Sequence, residues 1–155
     1  MHLIIGWGNS LRGDDCLGLK VAELLEAQQI KAVICKSHQL LPEMSEEISR
    51  ADQVIFVDAS LTVAPGQMAI SELCAEEGDS SPDSHKLSPQ ILLNMARHLY
   101  GKAPLALVYA LGGYKYEGET MSPALEPLVA EAAASIAASI ATATRTSLRE
   151  SSADP

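Results

Sequence analysis

Four short apolar runs, "HLIIGW" (2–7), "KAVICKS" (31–37), "QVIFVDA" (53–59) and "PLALVYALGG" (104–113), recur along this chain with helix-patterned segments between them. A strand that is apolar at consecutive rather than alternate positions has both faces covered, which is the situation of a parallel sheet sandwiched between helices. The intervening segments agree. "DCLGLKVAELLEAQ" (15–28) places Leu17, Val21, Leu24 and Leu25 at helical spacing behind an acidic start, and "PEMSEEISRA" (42–51) reads as a short polar helix. "QMAISEL" (67–73) alternates and suits a half-exposed strand. Ser88 and Pro89 form a cap and first-turn proline for a helix over 89–101, with Ile91, Leu92, Met95 and Leu99 as its apolar stripe. Ser122 and Pro123 repeat that signal for an alanine-rich helix to about residue 144, which Pro127 is expected to bend by removing one early backbone bond. The expectation is an α/β fold: three layers, α/β/α, with a mostly parallel central sheet of about five strands. One domain over 1–144 is followed by a polar tail, 145–155, expected to be disordered.

Charge and cysteine usage exclude several functions. The 155 residues carry 20 acidic against 11 basic side chains, a net charge of −9, and the basic residues do not cluster, so a nucleic-acid or anionic-membrane partner is not expected. Cys16, Cys35 and Cys74 are odd in number, widely spaced and without a CxxC pair, which argues against a disulfide framework or a cysteine-built zinc site and for a reducing, cytoplasmic compartment. The first residues lack a basic region ahead of an apolar signal segment, and no run reaches the ~18 apolar residues of a membrane span.

In parallel α/β sheets ligands bind outside the carboxyl ends of the strands. Asp14 and Asp15 follow the first strand, Asp58 closes the third, and His85 lies in the polar loop 74–87 between the fourth strand and the next helix, so these groups can meet along one edge of the sheet. Each has an ordinary reading as well: Asp14 as a helix cap, Asp58 as an Asx turn, His85 as a solvated histidine. The glycines of "GWGNSLRGDD" (6–15) do not make a nucleotide loop, because the third is too late for GxGxxG and Asp14 stands where a phosphate loop needs lysine. Two carboxylates and an imidazole instead form a donor set for a divalent metal such as nickel, zinc, iron or manganese, with coordination positions left open. Cys16 beside the site raises a cysteine-protease alternative with His85 or His38 as base, against the plainer reading of a small buried hydrophobe.

The blocks "GWGNSLRGDDCLG", "VIFVDAS" with "APGQM", "SHKLSP" and "GETMSPAL" lie in register over about residues 3–130. Together they resemble the signature of the nickel–iron hydrogenase maturation endopeptidases, which trim a C-terminal extension from the hydrogenase large subunit after nickel insertion. "HQLLPEM" (38–44) is similar to the subgroup serving bidirectional, NAD-linked hydrogenases. The resemblance implies a peptidase whose catalytic and metal-contacting positions fall on Asp15, Asp58 and His85. The nickel would be supplied by the precursor, and other divalent metals could occupy the same site. His38 and Glu43, in the loop after the second strand, are then candidates for substrate contacts or for support of the site, against the plainer reading of a solvated loop. Two rivals remain open at this point: a non-enzymatic nickel-sensing or nickel-delivery module, and a small-nucleotide-binding protein.

Overall fold

A computed structural model describes residues 1–77 and 87–153. Five strands, β1 (His2–Trp7), β2 (Val33–Ser37), β3 (Gln53–Ser60), β4 (Met68–Leu73) and β5 (Ala106–Gly112), form one sheet in the order β2-β1-β3-β5-β4. All pairings are parallel except β4 with β5, which is antiparallel. Among the described residues four α-helices complete the fold: α1 (Leu17–Ala27), α2 (Met44–Arg50), α3 (Pro89–Tyr100) and α4 (Glu126–Ser152).

The unbroken apolar runs have the cause inferred from the sequence. Alternate residues of one strand enter two different cores. Ile4, Ile55, Val57, Tyr109 and Leu111 pack with Leu17, Val21 and Leu25 of α1 and with Leu128, Ala132 and Ile136 of α4. Leu3, Ile5, Val54 and Phe56 face the other way, onto Ile48 of α2 and Leu92, Leu93 and Ala96 of α3. The three-layer α/β/α expectation therefore holds, with five strands and one strand reversed. Aromatic side chains are few, and the pair in the second core, Trp7 and Phe56, meets edge to face at 6.1 Å.

Two expectations about the last helix are corrected. Pro127 removes no bond from α4, because the helix begins at Glu126 and the proline occupies its first turn, where its missing N–H has no intrahelical partner to lose. The helix does not stop near residue 144. It continues through Ser152, so the described part of the segment expected to be disordered is helical. Its residues are exposed, and good helix formers such as Leu148, Arg149 and Glu150 carry it, with the Thr142, Thr144 and Thr146 hydroxyls donating to carbonyls one turn earlier. By length and mean hydropathy, 1.4 over its most apolar window, α4 is also sufficient to cross a bilayer, though no run in it reaches 18 consecutive apolar residues. Its apolar stripe, Leu128, Val129, Ala132, Ala133, Ile136 and Ile140, is buried in the first core.

Candidate active site

The sheet order turns back at β1. Its neighbours β2 and β3 lie on opposite sides, which opens a crevice at the carboxyl ends of the central strands. Asp15 follows β1 and Asp58 lies near the end of β3, so the two stand at this crevice.

Glycine makes the floor of the crevice possible. A Cβ on Gly18, at the start of α1, would lie 2.2 Å from the Val57 carbonyl oxygen and 2.7 Å from that of Trp7, so only glycine lets the helix seat directly on β1 and β3. Gly8 has φ +152°, and a Cβ there would lie 2.0 Å from the Asp15 carbonyl oxygen. The chain therefore leaves β1 against the backbone of the turn that carries both aspartates, a 3-10 turn over Gly13–Cys16.

The two adjacent aspartates have opposite surroundings. Asp14 is fully buried and caps no helix. Its Oδ2 accepts from the Tyr114 N–H (2.8 Å), the Lys115 N–H (3.0 Å) and the Ser122 hydroxyl (2.9 Å), while Oδ1 accepts from the Ser122 N–H (2.6 Å). Burial alone would push its carboxyl up, but the bonds from Ser122, Lys115 and Tyr114 outweigh that effect and hold it below the ordinary value. The cap reading of Asp14 is thus replaced by a structural one: it ties the first turn to the loop after β5. Ser122, read from the sequence as a helix cap, spends its hydroxyl on Asp14 instead and makes no side-chain cap bond. Ser88 is a cap as expected, accepting from the Ile91 N–H at 3.2 Å.

Asp15 is only partly buried, and its Oδ2 accepts one bond, from the Asn9 N–H at 3.0 Å. It therefore keeps acceptor capacity free toward the crevice. Asp58 is also partly buried. Burial pushes its carboxyl up to about 7; the Ala59 N–H acts in the opposite direction, and the charge of Asp15 adds to the rise. A carboxyl that titrates near neutrality beside a second carboxylate can take or give a proton, and the same pair offers hard oxygen donors to a divalent cation.

His85 lies outside the described residues, and among those residues no group of three or more histidine, cysteine, aspartate or glutamate side chains stands close enough to hold a metal ion. Cys16 is 2% exposed, and burial pushes its thiol up, away from the thiolate a nucleophile needs. That favours the buried-hydrophobe reading over the cysteine protease. His38 and Glu43 are both exposed, and neither makes a side-chain hydrogen bond among the described residues.

Sequence reasoning missed two contributors. Tyr116 donates its hydroxyl to the Ser60 carbonyl at 3.0 Å and accepts from the Gly113 N–H at 3.2 Å, fastening the loops after β3 and β5 together. No local pattern announces it. Asn9 accepts from the Leu11 N–H at 2.9 Å, a turn that the asparagine after a glycine could have indicated.

No family model matches the chain, and no curated protein matches it. Among solved structures it is similar to the hydrogenase maturating endopeptidase HybD from E. coli, with TM-score 0.71 and 23% identity over 92% of this chain and 93% of that one. It is also similar to the NiFe hydrogenase maturation protease HycI from Thermococcus kodakarensis, with TM-score 0.68 and 25% identity over 88% and 89%. A third likeness is to a hydrogenase 2 maturation peptidase from a Thaumarchaeota archaeon, with TM-score 0.66 and 19% identity over 90% and 97%. The α/β fold is thus shared with proteases of hydrogenase maturation along nearly the full length of both partners.

Proposed function

We propose that this protein is the endopeptidase that removes a C-terminal extension from the nickel-loaded large-subunit precursor of a nickel–iron hydrogenase. The observation that carries the reading is the pairing of Asp15 and Asp58 at the crevice of a fold shared with hydrogenase maturation proteases, the second of them titrating near neutrality. In this reading nickel is part of the substrate. Asp15 and Asp58 supply two oxygen donors to it, and His85 supplies a nitrogen donor. Pro89, the first residue of α3, follows His85 by four positions, and α3 covers the sheet face onto which Val54 and Phe56 of β3 project. The similarity of "HQLLPEM" to the NAD-linked subgroup narrows the precursor to that of a bidirectional hydrogenase.

The test mixes purified protein with nickel-loaded and nickel-free precursor and weighs the products. The reading requires shortening of the loaded precursor alone, lost in Asp15→Asn, Asp58→Asn and His85→Ala proteins that remain folded. Nickel-dependent binding with no shortened product would make the protein a non-enzymatic nickel-checking module instead.

A further inference from the structure

Three loops at the carboxyl edge of the sheet each present a large apolar side chain to solvent: Leu11 after β1, Leu61 after β3 and Tyr114 after β5. Leu61 and Leu11, at 82% and 69% exposure, are the two most exposed large apolar side chains among the described residues, and Tyr114 is 56% exposed. Single exposed leucines are common, but two leucines and a tyrosine exposed on loops hydrogen-bonded to one another call for a reason.

The loops are knitted together. The Gly13 N–H donates to Gly118 O at 2.7 Å and the Asp14 N–H to Lys115 O at 2.8 Å, which joins the first loop to the third. Tyr116 reaches Ser60, and the Gly66 N–H donates to Gly112 O at 2.9 Å, which joins the second to the third. Both leucines also stand in closed turns, Leu11 through its N–H to Asn9 Oδ1 and Leu61 between Ser60 and Thr62, whose N–H donates to Ser60 Oγ at 3.2 Å. The apolar side chains are therefore held out before any partner arrives, and little ordering is left to oppose binding.

Two cations stand beside them. Arg12 follows Leu11 and Lys115 follows Tyr114. Both are exposed and, like Lys31, Lys102, Arg145 and Arg149, have no ion-pair partner among the described residues; Lys20, Lys36, Arg50 and Arg97 are paired with glutamates. Glu117 and Glu119 lie farther along the third loop. In a chain of net charge −9, two free cations beside the apolar anchors select an acidic border on whatever docks there.

We propose that Leu11, Leu61 and Tyr114, flanked by Arg12 and Lys115, form a docking face for a folded protein with an apolar patch bordered by carboxylates. The inference rests on the peptidase reading and identifies that protein as the precursor. Specificity would then come from a surface around the scissile bond as well as from the bond itself.

The experiment compares wild type with Leu11→Ser/Leu61→Ser, Arg12→Glu/Lys115→Glu and, as a control, Leu148→Ser, equally apolar and 66% exposed in a groove of about 670 Å³ at the opposite edge of the sheet. Cleavage kinetics and calorimetric Kd are measured with nickel-loaded precursor. Both double variants should raise KM and Kd about tenfold with kcat within twofold, and the charge variant should reverse the salt dependence, binding more tightly as ionic strength rises. Leu148→Ser should match wild type. Double variants with wild-type KM and Kd overturn the docking face while leaving the peptidase reading intact. A wild type that binds precursor with the expected variant losses but never shortens it supports the face and overturns the peptidase. A wild type that neither binds nor cuts overturns both.

Discussion

Replacing Asp14 with asparagine keeps the shape of a side chain that four donors surround, and its cost can be worked from those contacts. The best placement of the amide leaves its oxygen where Oδ2 stood, facing Tyr114, Lys115 and Ser122 Oγ, and turns the NH2 toward the Ser122 N–H that Oδ1 accepted at 2.6 Å. Three bonds to a charged acceptor become bonds to a neutral one, at about 1 kcal/mol each, and one buried N–H loses its acceptor, at about 1–3 kcal/mol. With some relaxation the total is about 3–6 kcal/mol, a large share of the ~5–15 kcal/mol that holds a domain folded. For a chain of this size that corresponds to a melting temperature lower by roughly 10–20 °C. Urea unfolding followed by circular dichroism measures it directly, with Asp15→Asn alongside as a control that disturbs a single bond from Asn9. The pH dependence is a second readout. The folded carboxyl lies below its ordinary value, so its contribution is present above pH ~4 and disappears as pH falls through the lower folded value. The gap between wild type and variant should therefore close in acid. An Asp14→Asn protein within about 1 kcal/mol of wild type at pH 7 would refute the view that this carboxylate fastens the first turn to the loop after β5.

Asp58 has the opposite sign: its folded carboxyl is raised to about 7, so metal-free wild type should lose stability as pH rises from about 4 to 7, and Asp58→Asn should lack that slope and exceed wild type in stability at pH 8, both seen in thermal melts. Cys16→Ser should cost about 1–3 kcal/mol, because a hydroxyl is placed in an apolar site, and should leave cleavage and its resistance to thiol alkylation unchanged. Gly18→Ala forces a methyl against the Val57 and Trp7 carbonyls and should destabilise the fold by about 1–3 kcal/mol in the same urea assay, since neither backbone can yield without moving α1 off the sheet.

The parts of the fold visible in the sequence are those determined by near neighbours along the chain. A strand such as β3, buried on both faces, shows itself as "VIFV", and Asp58 stands out because it interrupts that run at the edge where sites form. Ser88 and Pro89 announce α3 for a similarly local reason. What was not legible depends on distant residues. Asp14 meets its partners 100 to 108 positions away, so the sequence shows two equivalent acids where the fold makes one a buried tie and leaves the other facing the crevice. The same long range hides Tyr116. The end of α4 escaped notice for a different reason, since an exposed helix held by intrinsic propensity needs no apolar periodicity.

The backbone-on-backbone seat of Gly18 against Trp7 and Val57 also bears on how the crevice responds to what enters it. A floor with no side chain between helix and strands has no rotamer to flip and no gap to compress, so it cannot adjust its width to ligands of different size. The walls, the loops after β1, β3 and β5, are tied to one another by hydrogen bonds and add no slack. The carboxylate pair therefore acts as a fixed gauge: a group that fits encounters it at full strength, and a misfit gains nothing from waiting for the protein to reshape.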